Sequence, residues 1–591
     1  MPKTPQLNFS FTNENVQAST PLLGVSHVLA RTTRGKFNSP DELIYTWAQF
    51  QRIYGNEIVP DGTISNIKKA LELGSILRVS RVAGKDTPSY GYARTTGSDK
   101  ADDVADATKI EVTLQNPADD NEKYVATMVI RTKEQGSSVL DSTGINLDRD
   151  FYLKLSLADG PTTKISLIQS KTSDFDTNNI LDSMMMFSGS DSFIEPNTLR
   201  TFLNESKNVT LELVSIKKGT TEDPTYDNSG MDGVVALFSD YYNWKPSFKI
   251  GETTIGENNT SVDLVINEGN TGGDSNEASW KKAYDAIAGY TDSYQVICSH
   301  LHQHLNVSTE EIAVYKYIAD NQNKFFNSTL FVEVPKLDDE GEIRDIEGCK
   351  TWLKNTISTV GASKNVAYFG GGIRYYNDRG SLQICDVLGT IIGLADRAAS
   401  NNGPWYSFAG MNRGLVPNSK GPGFENLGGS TKIPELQELA DWYMNLFLIK
   451  DTPTLGKQTM LWHNFTSNPR NDSEKFLGIV RLNLYLKKNL TPILESYLEE
   501  PNIWDTWKLI YYRVKDILDD LVTRNAMSEY TWMGDQFATS YSDLSVNNEA
   551  DVRQGKYRAK LKYKDIVAMQ EIYIDVTIDS VSKDVSLTVT E

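Results

Sequence analysis

Cysteine is scarce in this chain: three in 591 residues, at Cys298, Cys349 and Cys385, with no CxxC pair. An odd, widely spaced set excludes a disulfide scaffold and fits a reducing compartment. Histidine is scarce too, with five residues, so few side chains can serve as a general base near neutral pH. Long apolar runs are missing. No uninterrupted stretch approaches the ~18 residues of a membrane span, and the opening MPKTPQLNFSFTNEN holds no apolar signal region. The expectation is a soluble protein without stable membrane insertion. Positive charge is also short, with 59 Lys plus Arg against 78 Asp plus Glu and a net charge of −19. Phosphate contacts need clustered Lys and Arg, so direct nucleic-acid binding is not expected.

The length exceeds what one core supports, since cores stop growing near roughly 250–300 residues; two to four domains are expected. Residues 24–32 and 43–45 read as strands. Thr46 and Gln49 have capping-box spacing ahead of Phe50 and Ile53, and Gly55 is a natural stop. A helix over 63–74 and a strand over 76–82 complete an α/β rhythm. From 85 to 272 helical periodicity disappears. Short alternating runs at 110–114, 124–131, 152–157, 164–168 and 209–214 predict one or two inserted all-β modules. Met184, Met185, Met186 and Phe187 read as a core plug there. The Gly-rich stretch 252–276 reads as a connection or an exposed hairpin.

The α/β rhythm resumes with helices at 280–290, 309–321, 351–360 and 385–399, and strands at 296–298, 330–335 and 366–369. That spacing favours a largely parallel sheet with helices on both faces. From 432 the pattern turns helical. Pro434 stands at an N1 position, Leu436, Leu439, Tyr443 and Leu446 form a stripe, and further helices are expected at 473–488 and 491–498. Asn502 is a candidate N-cap for a long helix bearing Trp504, Trp507, Tyr511, Val514, Leu518 and Leu521. Strands are expected at 557–563, 572–579 and 585–590.

Three histidines, His300, His302 and His304, are spaced i, i+2, i+4. On a strand they share one face and could offer imidazoles to zinc or copper. No carboxylate follows closely, and a solvated strand end or loop is the simpler reading; no metal site and no cofactor is assigned. No G-x-S-x-G occurs, and His27 and His463 lie in no recognisable catalytic context. Gly370, Gly371 and Gly372 follow a strand but lack the phosphate-loop pattern, so a glycine bend at a crowded strand end is expected. No catalytic residues are assigned.

One segment, PWYSFAGMNRG at 404–414, has the look of a built junction: a Pro-Trp turn, an apolar aromatic, then Asn-Arg-Gly. Pro404, Trp405, Ala409, Gly410, Asn412, Arg413 and Gly414 resemble, in this order, a junction of the contractile tail sheath family of myovirus-type phages and related injection systems. Phe408 stands where that family often has Pro. Residues 4–7, the strand and turn at 24–35, and the Trp47, Phe50, Tyr54, Gly55 set are similar to the family's opening elements. Residues 330–335 and 366–369 resemble two later core strands.

The resemblance implies an α/β core of subtilisin-like sheath type, without a protease triad, carrying inserted all-β domains and a C-terminal α+β domain. The implied limits are an N-terminal arm 1–21, core 22–84, insertion 85–272, core 273–431, C-terminal domain 432–566 and a strand arm 567–591. It implies a structural, non-enzymatic virion protein assembled in the host cytoplasm. Such subunits stack as hexameric rings around a tail tube and contract. The implied partners are further copies of the chain, the tail tube protein, and baseplate and tail terminator proteins. Other readings of the same sequence are a baseplate or host-binding protein, or a metal-dependent hydrolase.

Period-two patterns at both ends fit that resemblance. Leu7, Phe9 and Phe11, and then Ile572, Ile574, Val576 and Ile578, each line one face of a strand that has no evident local partner. These are candidate inter-subunit arm strands, able to pair with a neighbour's sheet.

Overall fold

The computed structural model describes residues 24–59, 64–95, 103–136, 151–157, 164–190, 193–255, 260–266, 269–305, 308–325, 327–338, 341–377, 380–423, 438–452, 456–470, 472–568, 574–576 and 585–587.

Eight strands form the central sheet, in the order Leu43–Ile44, Ile76–Arg81, Val25–Ala30, Gln295–Cys298, Thr329–Glu333, Val366–Gly370, Met444–Thr452 and Gly456–Leu461. The inner pairings are parallel, and the pair at each edge is antiparallel. Parallel neighbours need crossovers, and the helices between strands supply them. Strand residues such as Gln295–Cys298 and Thr329–Glu333 are buried throughout because helices cover both faces. Leu29, Val296 and Val332 face the helices Glu277–Ala288, Ser308–Phe325 and Ile346–Val360. Val28, Ile297 and Phe331 face Trp47–Tyr54, Asn66–Glu72 and Leu388–Asn402. Successive side chains alternate between the two layers, as a pleated strand requires. Thr46 caps the Trp47–Tyr54 helix by accepting from the Gln49 amide, and Gly55 ends it at φ 70°.

Several local expectations are corrected here. The second helix starts at Asn66, capped by Ser65. Cys385 closes the strand Leu382–Cys385, and the helix expected from it begins at Leu388. The triple glycine is a bend: Gly371 and Gly372 have φ 96° and 60°, and a Cβ on Gly370 would lie 2.2 Å from Met444 Cε.

Among the described residues the inserted region holds two larger antiparallel sheets and the two-stranded sheet Gly189–Ser190/Phe193–Ile194. One has six strands, with Asp119–Thr132 between Val209–Lys218 and Lys109–Asn116. The other has five, with Phe151–Leu157 between Ser261–Ile266 and Ile165–Ser170. Met186 and Phe187 are buried in the shared core. The region is not all-β: helices Pro196–Glu205 and Met231–Asp240 lie within it. Met231–Asp240 carries the unbroken apolar run Val234–Phe238, which periodicity cannot tell from a buried strand. The 252–276 stretch is likewise more than a connection, since Ser261–Ile266 buries Leu264, Val265 and Ile266.

Arginines from the core fasten the insertion to the sheet. Arg81 is fully buried; it donates to the carbonyls of Thr32 (3.1 Å), Gln135 (2.9 Å) and Gly136 (3.1 Å), and to Gly35. Its guanidinium also sits 3.9 Å from the Phe37 ring centroid. Arg31 reaches the Gly273 carbonyl at 2.7 Å. Carbonyl oxygens from both units thus satisfy these buried donors.

Toward the C-terminus the helical reading fails in part. Pro434 and Leu436 lie outside the described residues. The described helical residues 438–441 end before Tyr443, which turns left-handed (φ 67°), and Met444–Thr452 then joins the sheet, with Met444 opposite Tyr368. Continuous burial on a parallel sheet overrides the apparent helical stripe. The two helices expected over 473–498 are one, Leu477–Glu495, which continues through Pro492. The long helix is Trp504–Thr523, and Ile503, not Asn502, holds its N-cap position. Asn502 instead donates to the Val552 and Lys556 carbonyls and accepts from Trp507 Nε1. Trp507, Val514, Leu518 and Leu521 of the stripe are buried.

Candidate functional site

The parallel strand Gln295–Cys298 ends at Ser299 and His300, on the carboxyl edge of the sheet where α/β folds commonly place polar groups. The three histidines are not on a strand. His300 is left-handed (φ 53°, ψ 30°) and caps the short helix Leu301–His304. The period-two argument for a shared face therefore fails.

A carboxylate does reach the cluster, from 86 residues away. Asp386 Oδ2 lies 2.6 Å from His300 Nδ1 and 3.6 Å from His302 Nε2. Lys336 Nζ lies 3.2 Å from Asp386 Oδ1 and donates to the Ile384 carbonyl at 3.0 Å. On the other side, Glu57 Oε1 is 3.9 Å from His300 Nε2 and accepts from Ser299 Oγ. Asn66 joins by donating to Ser299 Oγ at 3.2 Å and accepting from the Gly389 amide at 3.0 Å. Glu333, at the end of its strand, accepts from the Val387 amide at 2.7 Å. The sequence reading missed Asp386, Glu57, Glu333 and Lys336. A carboxylate opening the otherwise apolar run 385–395 was the available signal.

Charge settles how this cluster behaves. Burial alone would lower the His300 pKa, but Asp386 and Glu57 outweigh it and push the ring up to about 9. Burial opposes ionisation of Asp386, yet His302, His300 and Lys336 hold it well below the usual carboxylate range. Glu333 goes the other way, raised by burial and by the Asp386 charge. His300 and Asp386 thus favour their ionised forms as a pair, and Glu333 beside them is biased toward its protonated form. Among the described residues no group of three or more His, Cys, Asp or Glu side chains is arranged to hold a metal ion. His27 Nε2 pairs with Asp292 Oδ1 at 2.8 Å, and burial lowers its pKa. His463 stacks on Phe465, and burial lowers it to about 4. All three cysteines are buried and free; burial raises the thiols of Cys349 to about 12 and Cys385 to about 11.

The 404–414 segment lies between the sheet and the C-terminal helices. Gly410 N–H donates to the Leu461 carbonyl (2.8 Å), and Leu461 N–H donates back to Gly414 (2.9 Å), so the segment pairs with an edge strand of the sheet. Phe408 is buried, 6.3 Å from the Phe331 ring. Trp405 meets Tyr485 edge-on at 5.3 Å and lies under the Arg524 guanidinium at 4.8 Å. Arg413 Nε donates to the Ser407 carbonyl (2.5 Å), and Arg397 reaches the Arg413 and Leu415 carbonyls at 3.2 Å each. Pro404 precedes Trp405 in the same turn, while Asn412 is exposed to solvent. Ala409 packs on the core.

Of the candidate arm residues, Leu7, Phe9, Phe11, Ile572 and Ile578 lie outside the described residues. Ile574 and Val576 lie in the strand Ile574–Val576, which pairs antiparallel with Val585–Leu587, Ile574 facing Leu587. These two C-terminal strands therefore pair with each other and are not single unpaired strands. Among the described residues this strand pair joins no other sheet. A second two-stranded sheet, Met527–Met533 with Lys560–Asp565, was only half expected; Met527–Met533 went unread. Its Tyr530, Trp532, Leu561 and Tyr563 pack on the two long C-terminal helices, and Glu529, Thr531, Lys562 and Lys564 face outward. Among the described residues both of its edges are open.

No protein-family model matches the chain, and no curated protein matches it. Among solved structures it is similar to the sheath tail protein of Listeria innocua, at 10% identity over 93% of this chain and 96% of that one, with a TM-score of 0.46. It is similar to the sheath tail protein of Desulfitobacterium hafniense at 10% identity, covering 89% and 93% of the two chains, with a TM-score of 0.45. It also resembles a chain of the anti-feeding prophage baseplate in its contracted state, at 16% identity over 52% of this chain and 75% of that one, TM-score 0.41.

Proposed function

We propose that this chain is a structural subunit of a contractile tail sheath. The α/β unit would be its subtilisin-like sheath core, and stacked hexameric rings of the subunit would enclose a tail tube and shorten to drive it through a host envelope. The observation that carries this reading is the open-edged sheet Met527–Met533/Lys560–Asp565, with a separate strand pair at the chain's end. The helices beneath it stabilise this two-stranded sheet, and its outer edges can accept an added strand. Main-chain hydrogen bonds to a neighbour's strand can persist while rigid bodies slide and rotate, so such pairing suits a tube that changes length without coming apart. The ordered motifs ending in Pro404, Trp405, Ala409, Gly410, Asn412, Arg413 and Gly414 support the same family.

In this reading the chain is no enzyme and needs no cofactor. Its partners are further copies of itself, the tube, and the baseplate and terminator proteins that bound the stack; its place is the virion tail, after assembly in the host cytoplasm. Deleting residues 1–15 should leave a folded, soluble monomer that no longer polymerises, read by negative-stain microscopy. Truncated protein that still builds contracting sheaths would show that the N-terminal arm is not the connector.

A further inference from the structure

A cleft of about 470 Å³ lies against the 404–414 segment, between the end of the helix Leu388–Asn402 and the edge strand Gly456–Leu461. Small-molecule sites run from roughly 300 to 1,000 Å³, so the space suits a small ligand. Two cations line it, Arg397 from the helix and Arg413 from the segment. Among the described residues no Asp or Glu lines it. On a chain with 78 Asp plus Glu against 59 Lys plus Arg, that lining reverses the prevailing charge.

Both guanidiniums are half-buried and held by backbone. Arg397 Nη2 donates to the Arg413 and Leu415 carbonyls at 3.2 Å each. Arg413 Nε donates to the Ser407 carbonyl at 2.5 Å, and its guanidinium lies 5.3 Å from the Tyr406 ring centroid. Among the described residues, Nε and Nη1 of Arg397 and both Nη atoms of Arg413 make no hydrogen bond, and neither arginine forms an ion pair. A guanidinium carries five donors in a planar fork. Anchoring through one nitrogen restricts the plane while the other donors stay open, which is the arrangement that grips a carboxylate through two parallel bonds.

The rest of the lining agrees. Asn401, Asn402 and Asn412 are exposed, and their side chains make no hydrogen bond among the described residues, so their amides are further donors. Ala398 and Val416 are buried and, with Leu415, give the cleft an apolar wall. The helix end adds a partial negative charge, but the Gly403 amide covers the Ala398 and Ala399 carbonyls, and two full positive charges outweigh it.

We propose that this cleft binds a carboxylate: the forks of Arg397 and Arg413 take the head group, and the apolar wall receives the carbon chain. The carboxylate comes from a free organic acid or from an acidic side chain of another copy; the chemistry at the arginines is the same. The site is complete within one chain. Its occupant would bridge the helix Leu388–Asn402 and the segment that pairs with Leu461, stiffening the joint between the sheet and the C-terminal helices.

The test titrates the full-length chain with glutarate by calorimetry at constant ionic strength, with neutral glutaramide as the control of equal shape. One glutarate per chain should bind, glutaramide should not, and glutarate should raise the melting temperature. Asn412→Asp sets a negative charge in the cleft at an exposed position; it should weaken glutarate roughly tenfold or more and leave melting without ligand unchanged. Arg413→Lys keeps the charge but loses the fork, and should weaken binding as well. Absence of glutarate binding, equal binding of glutaramide, or wild-type affinity in Asn412→Asp would overturn the inference. Sedimentation then identifies the source: glutarate that weakens self-association of the chain points to an acidic side chain of another copy, and unchanged association points to a free acid.

Discussion

His300 shows how far surroundings can move one side chain. In water its ring titrates near pH 6.5; here it is buried between Asp386 and Glu57, and its pKa rises to about 9. A group raised in the fold adds stability that is fully present below its unfolded pKa and lost as pH climbs through the folded one. The window is pH 6.5 to about 9, and the shift corresponds to a contribution on the order of 3 kcal/mol. Glu333, also raised, acts with the same sign, because ionising it sets a second buried negative charge beside Asp386. Thermal melting should therefore fall between pH 7 and 9.5, and His300→Gln should flatten that slope. An unchanged slope in the variant would place the alkaline loss elsewhere. Asp386→Ala should cost about 3–5 kcal/mol, since it leaves a buried cation unpaired. The sequence displayed the three histidines but not their partner, because no local pattern links residues 86 positions apart.

Among the elements, the helix Leu477–Glu495 is fitted to the junction by a glycine. A Cβ on Gly478 would lie 2.4 Å from the Trp405 carbonyl oxygen. In an isolated helix Gly→Ala gains about 1 kcal/mol. Here the neighbour is backbone and cannot swing aside, so overpacking, which costs about 1–3 kcal/mol, should win. Gly478→Ala is expected to lower the melting transition of the C-terminal unit; a raised midpoint would mean that the junction yields. Elements with a one-sided apolar pattern were legible in sequence, as Trp47–Tyr54 and Trp504–Thr523 show. Met231–Asp240 and Met444–Thr452 were not. The first holds an unbroken apolar run, Val234–Phe238, that fits a strand as well as a helix, and the second becomes a strand only because Val366–Gly370 offers it an edge.

For the whole molecule, the proposed sheath must store its contraction energy in contacts between copies, because the sequence carries no phosphate-binding loop. Assembled tubes should shorten to the same extent with and without ATP and magnesium, measured as tube length by microscopy. Contraction that requires ATP would contradict the proposal. Arg81 binds the Gln135 and Gly136 carbonyls, which ties the inserted unit to the sheet.

The sequence by itself determined the alternation of strands and helices, the change to β structure after residue 85, and the glycine bend at 370–372. Each depends on residues within a few positions of one another, where periodicity and backbone freedom act directly. Tertiary structure alone decided the ionic partners of His300, the sheet position of Met444–Thr452 and the cleft lined by Arg397 and Arg413. Those depend on groups brought together from distant parts of the chain, where burial and charge outweigh local preference.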